Sequence, residues 1–402
     1  MAYYIHAAKF FLKNTTETNG YLEITDDGKF GSYYPESAKP AGKIVEYGDK
    51  WVAPGLFDTH IHGLLGHDVT DGDWDAINEM SEGLLKAGVT SWLPTTVTAS
   101  FDQLNNVCKA IGDHQGQETG AKIRGIHFEG PYFTEEHKGA QDPKYLRDPD
   151  IDEFHKWQES AHGLLNKISI APERKGAAEF TRQAVEEGVV VSIGHSSATY
   201  EQAKRCIEAG ASMFTHTYNG MNEFGHRDPG MVGAAYTMDD TTCEIICDGH
   251  HNAPAAVRVL IDQKTPDNVA LVTDCMRAGL MPDGDYMLGE LEVYVKDDMA
   301  RLKVGNNLAG SILLLKDALK NVVDWNIATP EEAVRMGSLV PAKSMHMENK
   351  VGSIVPGADA DFLILNPDMT LSETYLDGKS RDRKSTRLNS SHRLTSRMPS
   401  SA

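Results

Sequence analysis

Six side chains able to bind a cation or move a proton close apolar runs in this sequence. They are His60 and His62 in APGLFDTHIHG, Glu129 in HFEGPYF, His195 in SIGHSS, His216 in FTHTYN and Asp274 in LVTDCM. Residues two apart on a strand leave it from the same face, so His60 and His62 can converge. Imidazole nitrogen suits Zn²⁺ or Fe²⁺. Solvated loop histidines share that spacing, but this pair follows an apolar strand and a Pro-Gly turn. Glu129 reads either as a carboxylate paired with a neighbour such as His127 or as one buried against a cation, because an uncompensated buried carboxylate is costly. His195 and His216, taken singly, read as satisfied core histidines. Three strand ends offering Glu, His and His to one mouth make a hydrolase-type metal set with a position open for water. Asp274 reads either as the N-cap of a following helix or as the general base. In the second role it deprotonates the metal-bound water and returns the proton to a leaving amine.

Those residues need a scaffold that gathers strand ends. Apolar strand candidates WVAPGLFDTHIH, GVTSWLPTT, IRGIHFEGP, KISIAPE, VVVSIGHSS, SMFTHTYN, CEIICDGHH and VALVTDC alternate with amphipathic segments such as WDAINEMSEGLLKAG and YEQAKRCIEAG. Eight β/α units in series fit a (β/α)₈ TIM-like barrel, and periodicity alone also allows a doubly wound open sheet. The polar strand ends, His250 and His251 after the seventh included, favour the barrel, since closure brings them to one face. Residues 1–52 and 345–380 are β-rich and broken by Gly and Asp-Gly turns, which predicts a small β-sandwich domain built from both chain ends. The barrel is expected over 53–344. The basic, apolar-poor segment 381–402 is expected to be disordered and is read as a non-native extension rather than a functional arm.

The chain has 402 residues, 40% hydrophobic and 24% charged, an ordinary enzyme composition. A formal net charge of -19 argues against nucleic acid as partner, although a small phosphorylated ligand needs only local donors. No apolar run reaches the ~20 residues of a membrane span, and the N-terminus lacks a leader layout. Five scattered cysteines, with no CxxC pair, predict a reduced, cytoplasmic protein.

With these residues in hand, the sequence resembles the amidohydrolase superfamily and, within it, the N-acetylglucosamine-6-phosphate deacetylase family. The stretches that carry the resemblance are PGLFDTHIHG, GIHFEGPYF, APE at 171–173, IGHSSATYEQA, THTYNGM, RDPGMVGAA, DGHH, VTDCM and LAGS, in order from about residue 52 to 311. The GHS–THxYN–DGxH–TD series is far more specific than HxH alone. The resemblance implies Glu129, His195 and His216 on a main metal and Asp274 as acid/base. It implies substrate contacts at Ala140, Gln141, Asn219 and Gly220, a segment Leu308, Ala309 and Gly310 lining the pocket, and Arg227 and His251 meeting the sugar phosphate and hydroxyls. Arg227 acts either in its own subunit or across a homodimer.

Family members that bind one metal carry Gln and Asn where this chain has His60 and His62, and a His where it has Gln141. The two differences agree with each other and favour a second metal bridged by Glu129, so one or two ions, Zn²⁺ or Fe²⁺, are expected. The expected activity is hydrolysis of the acetamide of a small amino-sugar phosphate, N-acetylglucosamine 6-phosphate, with N-acetylgalactosamine 6-phosphate the nearest alternative. A cyclic-amide or nucleobase hydrolase would not need the Asn219 and Arg227 elements. An inactive binding barrel would be free to lose the ligands and Asp274.

Overall fold

The computed structural model describes residues 2–381. Eight strands, Leu56–Ile61, Val89–Thr96, Ile126–Glu129, Leu165–Ile170, Val190–Ile193, Met213–Phe214, Thr242–Ile246 and Val269–Val272, pair in series, every pair parallel. The series closes on itself. Ile61 bridges Cys275 in parallel, with His62 N–H donating to the Cys275 carbonyl at 2.9 Å. That closure decides for the barrel against the open sheet.

The stretch WVAPGLFDTHIH, expected as one strand, is two strands in different sheets. Trp51–Pro54 pairs antiparallel with Phe362–Leu365, and Leu56–Ile61 pairs with Val89–Thr96. The chain crosses over at Gly55, where any Cβ would collide with the Thr90 side chain. Only glycine lets the backbone pass so closely.

Helices wrap the barrel with their apolar faces inward, and their starts are set by local chemistry. Asp73 caps Trp74–Leu84, Ser100 caps Phe101–Gly112, and Thr199 forms a capping box with Gln202 at Tyr200–Glu208. Ile151–Ser160 buries Phe154 and Trp157. The Trp157 ring stacks on Phe101 at 5.5 Å and meets Phe128 edge-on at 5.2 Å, pinning the strand that ends at Glu129.

Both chain ends build one further sheet, ordered Lys379–Ser380, Leu371–Leu376, Phe362–Leu365, Trp51–Pro54, Tyr3–Phe11, Thr16–Ile24, Phe30–Pro35, with Lys43–Glu46 also beside Tyr3–Phe11. It folds over on itself, since Phe30 at one end of that order lies 6.0 Å from Phe362 near the other. Ile5, Phe10, Leu22, Phe362 and Ile364 fill the space between. The expected strand–turn–strand at 351–365 is strand only from Phe362; residues 351–357 approach it as turns and bends. The expected disordered tail lies outside the described residues from 382 on. Arg381 itself is described, its N–H donating to the Thr374 carbonyl at 2.9 Å.

One feature was not expected from the barrel pattern. Gly284–Leu288, Leu291–Lys296 and Met299–Leu302 form an antiparallel meander between the eighth strand and the next helix, Leu315–Asp324. Its inward residues Val293, Val295 and Ala300 pack with Val97, Met276 and Ala309 over the barrel mouth. Among the described residues no helix is long and apolar enough to cross a membrane.

Candidate metal centre and substrate pocket

The six expected side chains meet at the C-terminal mouth of the barrel, and each is buried. Glu129 is the hub. Its Oε1 lies 3.0 Å from His195 Nε2, 2.9 Å from His216 Nε2 and 3.5 Å from His60 Nε2. Its Oε2 lies 3.3 Å from His62 Nε2. Asp274 Oδ1 faces the same group, 2.9 Å from His62 Nε2 and 3.6 Å from His60 Nε2. Glu129 therefore makes no hydrogen bond with His127, whose ring nitrogens contact Thr95 and Ser169 instead. Asp274 caps no helix.

The imidazoles are aimed from behind. His62 Nδ1 meets the Thr95 carbonyl at 3.1 Å, His195 Nδ1 the His137 carbonyl at 2.8 Å, His216 Nδ1 the Asn219 carbonyl at 3.1 Å, and His60 Nδ1 the Glu244 carboxylate at 3.1 Å. Each of those partners only accepts, so each Nδ1 carries a proton, and each Nε2 faces the Glu129 or Asp274 carboxylate, where it offers a lone pair when a cation is held and a second N–H when none is. The Nε2 atoms approach to 3.1 Å (His195 to His216) and 3.3 Å (His60 to His62), a crowding that, between neutral rings, only a shared proton or a cation relieves. Those spacings match the edge of a tetrahedron built on metal–nitrogen bonds of about 2.0–2.1 Å. Two overlapping groups, His60/His62/Asp274 and His60/Glu129/His216, have their ligand atoms within 4.8 Å of one another. The donor set fits a divalent cation.

The backbone supports this aim. His195, His216 and Asp274 have φ of 44°, 26° and 49°, a left-handed conformation that costs a non-glycine residue about 1–2 kcal/mol. Neighbouring bonds hold it. Ser196 N–H donates to the Gly220 carbonyl at 2.8 Å, and Glu173 of the APE stretch accepts from Ser196 Oγ at 2.6 Å and Ser197 N–H at 2.7 Å.

Beneath the centre lies a charge pair that the sequence reading passed over. Glu244 and Lys167, both fully buried, form an ion pair inside the barrel. Burial pushes the Glu244 carboxyl up, but the Lys167 ammonium and His60 outweigh it and bring it to about 2. Burial and then Lys167 hold the neighbouring His127 well below its ordinary value, so it is neutral. The available signal was a single charged residue inside an apolar strand, in CEIIC and in NKISI.

Above the centre opens a cavity lined by His62, Glu129, His195, His216 and Asp274 together with Ala140, Gln141, Asn219, Gly220, His251, Leu308 and Gly310. Val97, Gly139 and Leu288, not anticipated, complete the wall. Gln141 Oε1 accepts from Thr98 N–H at 2.7 Å, which turns its amide nitrogen to Glu129 Oε2 at 2.5 Å. Asp248 accepts from His251 Nδ1 at 2.7 Å, leaving the other ring nitrogen for the cavity. Three expected residues stand apart from this wall. His60 lies behind it, Ala309 is packed in the core under the meander, and Arg227 is exposed on the 222–229 loop.

The sequence model of the amidohydrolase family matches residues 51–381. The N-acetylglucosamine-6-phosphate deacetylase of Vibrio furnissii is 36% identical over 360 residues, covering 89% of this chain and 90% of that one. The N-acetylgalactosamine-6-phosphate deacetylase of Escherichia coli O157:H7 is 36% identical over 337 residues, covering 84% and 89%. The crystal structure of N-acetyl-D-glucosamine-6-phosphate deacetylase from Mycobacterium smegmatis superposes with a TM-score of 0.89 at 30% identity, covering 94% of this chain and 99% of that one.

Proposed function

The chain belongs to the amidohydrolase family, and from that premise we propose that it is a metal-dependent deacetylase acting on N-acetyl-D-glucosamine 6-phosphate, releasing acetate and D-glucosamine 6-phosphate. The observation that carries the reading is the inward convergence of four imidazole Nε2 atoms and the Glu129 carboxylate, with Asp274 facing them across 2.9 Å from His62. Glu129, His195 and His216 would hold one cation, and His60 and His62, together with Glu129, a second. Nitrogen with carboxylate donors suits Zn²⁺ or Fe²⁺. Cations there supply Lewis acidity, activating water at neutral pH and polarising the acetyl carbonyl.

The chain's own residues do the rest. Asp274 takes the proton of the attacking water and then delivers it to the amine as the C–N bond breaks. Gln141 and His251 line the cavity beside the place where the acetyl oxygen would lie, the Gln141 amide held on Glu129 and the free His251 nitrogen turned to the substrate. Asn219 and Gly220 position the sugar. Arg227 lies outside its own cavity on a loop that also exposes Phe224 to 56%, which favours a homodimer in which Arg227 meets the phosphate in the neighbouring subunit.

The test is acetate release from N-acetylglucosamine 6-phosphate by metal-stripped protein reconstituted with Zn²⁺ or Fe²⁺. Release only after reconstitution is expected; none with any divalent cation overturns the reading. Because the galactosamine-type relative matches at the same 36% identity, N-acetylgalactosamine 6-phosphate belongs in the same panel, and a higher kcat/KM for it would reassign the sugar.

A further inference from the structure

His60 differs from the other three imidazoles in what stands behind it. Those three back onto main-chain carbonyls. His60 Nδ1 backs onto the carboxylate of Glu244, 3.1 Å from Oε2. The same Oε2 accepts from the His216 main-chain N–H at 3.3 Å. Glu244 Oε1 is taken by Lys167 Nζ, which also donates to the Thr59 carbonyl, next to His60, at 3.1 Å. One buried carboxylate thus touches a residue from each of the two proposed cation sites, and an ammonium from a third strand holds it in place. A buried pair of this kind contributes little net stability over an apolar pair, so its place beneath the metal centre calls for another explanation.

We propose that Glu244, clamped by Lys167, is the positioning residue that fixes His60 in its Nδ1–H form and thereby creates the second cation site; this rests on the two-cation reading above. A carboxylate is the one partner that satisfies both sides at once, because Lys167 Nζ, His60 Nδ1–H and His216 N–H are all donors. A glutamine at 244 has one oxygen for two opposed sets of donors. Beside Lys167 the oxygen turns to the ammonium, and the amide NH₂ then faces His60 Nδ1. That selects the Nε2–H form of His60 and puts a hydrogen where the cation needs a lone pair. Removing the ammonium as well frees the glutamine oxygen to accept from His60 and His216.

The experiment is zinc titration of metal-stripped protein by calorimetry, with stoichiometry checked by elemental analysis, on three proteins. The unmodified chain is expected to bind two ions. Glu244→Gln is expected to keep the first and to lose affinity for the second by about 10–100-fold. The double variant Lys167→Met/Glu244→Gln is expected to recover the second, a rescue that a merely structural role would not produce. Two tight ions in Glu244→Gln, or no recovery in the double variant, overturns the inference. A single ion in the unmodified chain overturns it while leaving the deacetylase reading intact; no ion at all overturns both. Should Glu244→Gln fail to fold, ¹⁵N-histidine NMR of the unmodified zinc-free protein, recorded at a pH high enough for that ring to be neutral, decides. The ring signal that disappears in His60→Asn is expected in the Nδ1–H form, and the Nε2–H form overturns the inference.

Discussion

The backbone N–H of Asp274 donates to the carbonyl of His60 at 2.9 Å, so one of the hydrogen bonds that close the barrel also sets the acid against the histidine pair. On its other side the Asp274 carbonyl accepts from Ser311 N–H at 2.7 Å. Clamped from both flanks, Asp274 keeps its left-handed backbone, and its carboxylate meets His62 Nε2 at 2.9 Å.

Replacing Asp274 by Asn keeps the shape and removes the proton acceptor. Turnover is expected to fall by about 10²–10⁴-fold, the usual worth of a positioned acid/base group, with metal content unchanged by elemental analysis. Near-normal turnover would take the proton-transfer role away from Asp274.

Metal removal should also cost stability, because a cation that binds the folded chain and not the unfolded one is then lost. A ligand present at 100 times its Kd stabilises by about 2.7 kcal/mol. Stripped protein is therefore expected to melt several degrees lower and to recover on adding Zn²⁺. An unchanged melting temperature would mean that no cation sits among these imidazoles.

Arg227→Ala is expected to raise KM for the phosphorylated substrate at least tenfold and to leave the unphosphorylated sugar nearly unaffected. Mixing Arg227→Ala subunits with Asp274→Asn subunits should recover activity if the arginine serves the neighbouring site. Equal losses on both sugars would remove its phosphate role, and no recovery on mixing would return it to its own subunit.

The junction between the end sheet and the barrel predicts acid lability. Lys122 Nζ reaches Asp359 at 2.9 Å, Asp361 at 2.9 Å and Asp377 at 2.6 Å, and Arg124 reaches Asp359 at 3.3 Å. Burial pushes the Asp359 carboxyl up, but the Lys29 and Lys122 ammoniums outweigh it and hold the group below its ordinary range. A depressed carboxyl contributes stability above its unfolded value near 4, and that contribution is lost as pH falls through the folded value. Asp359→Asn should therefore cost on the order of 1 kcal/mol at pH 7, the upper end for partly exposed pairs. The gap in denaturant midpoints should begin to narrow as pH falls below about 4, the unfolded value; a gap that stays constant as pH falls further would rule out the ionic origin.

The barrel, the six residues at its mouth and a metal-hydrolase chemistry were legible in the sequence, while the acetamide substrate came only with the family resemblance. The first three follow from local signals: period-two apolar runs, polar residues placed where strands must end, and turn glycines. The sequence did not separate Trp51–Pro54 from Leu56–Ile61, because both are apolar and only the crowding of Thr90 against Gly55 sends them into different sheets. Nor did it reveal that Lys167 and Glu244 meet, since they stand 77 positions apart and only barrel closure brings the fourth and seventh strands to face each other across the core. The meander carries its own alternation in LEVYV, but its place over the cavity depends on packing against Val97 and Met276. Local pattern fixes which face of an element is buried; which distant element covers that face is settled by long-range packing, and the pair beneath His60 exists only at that level.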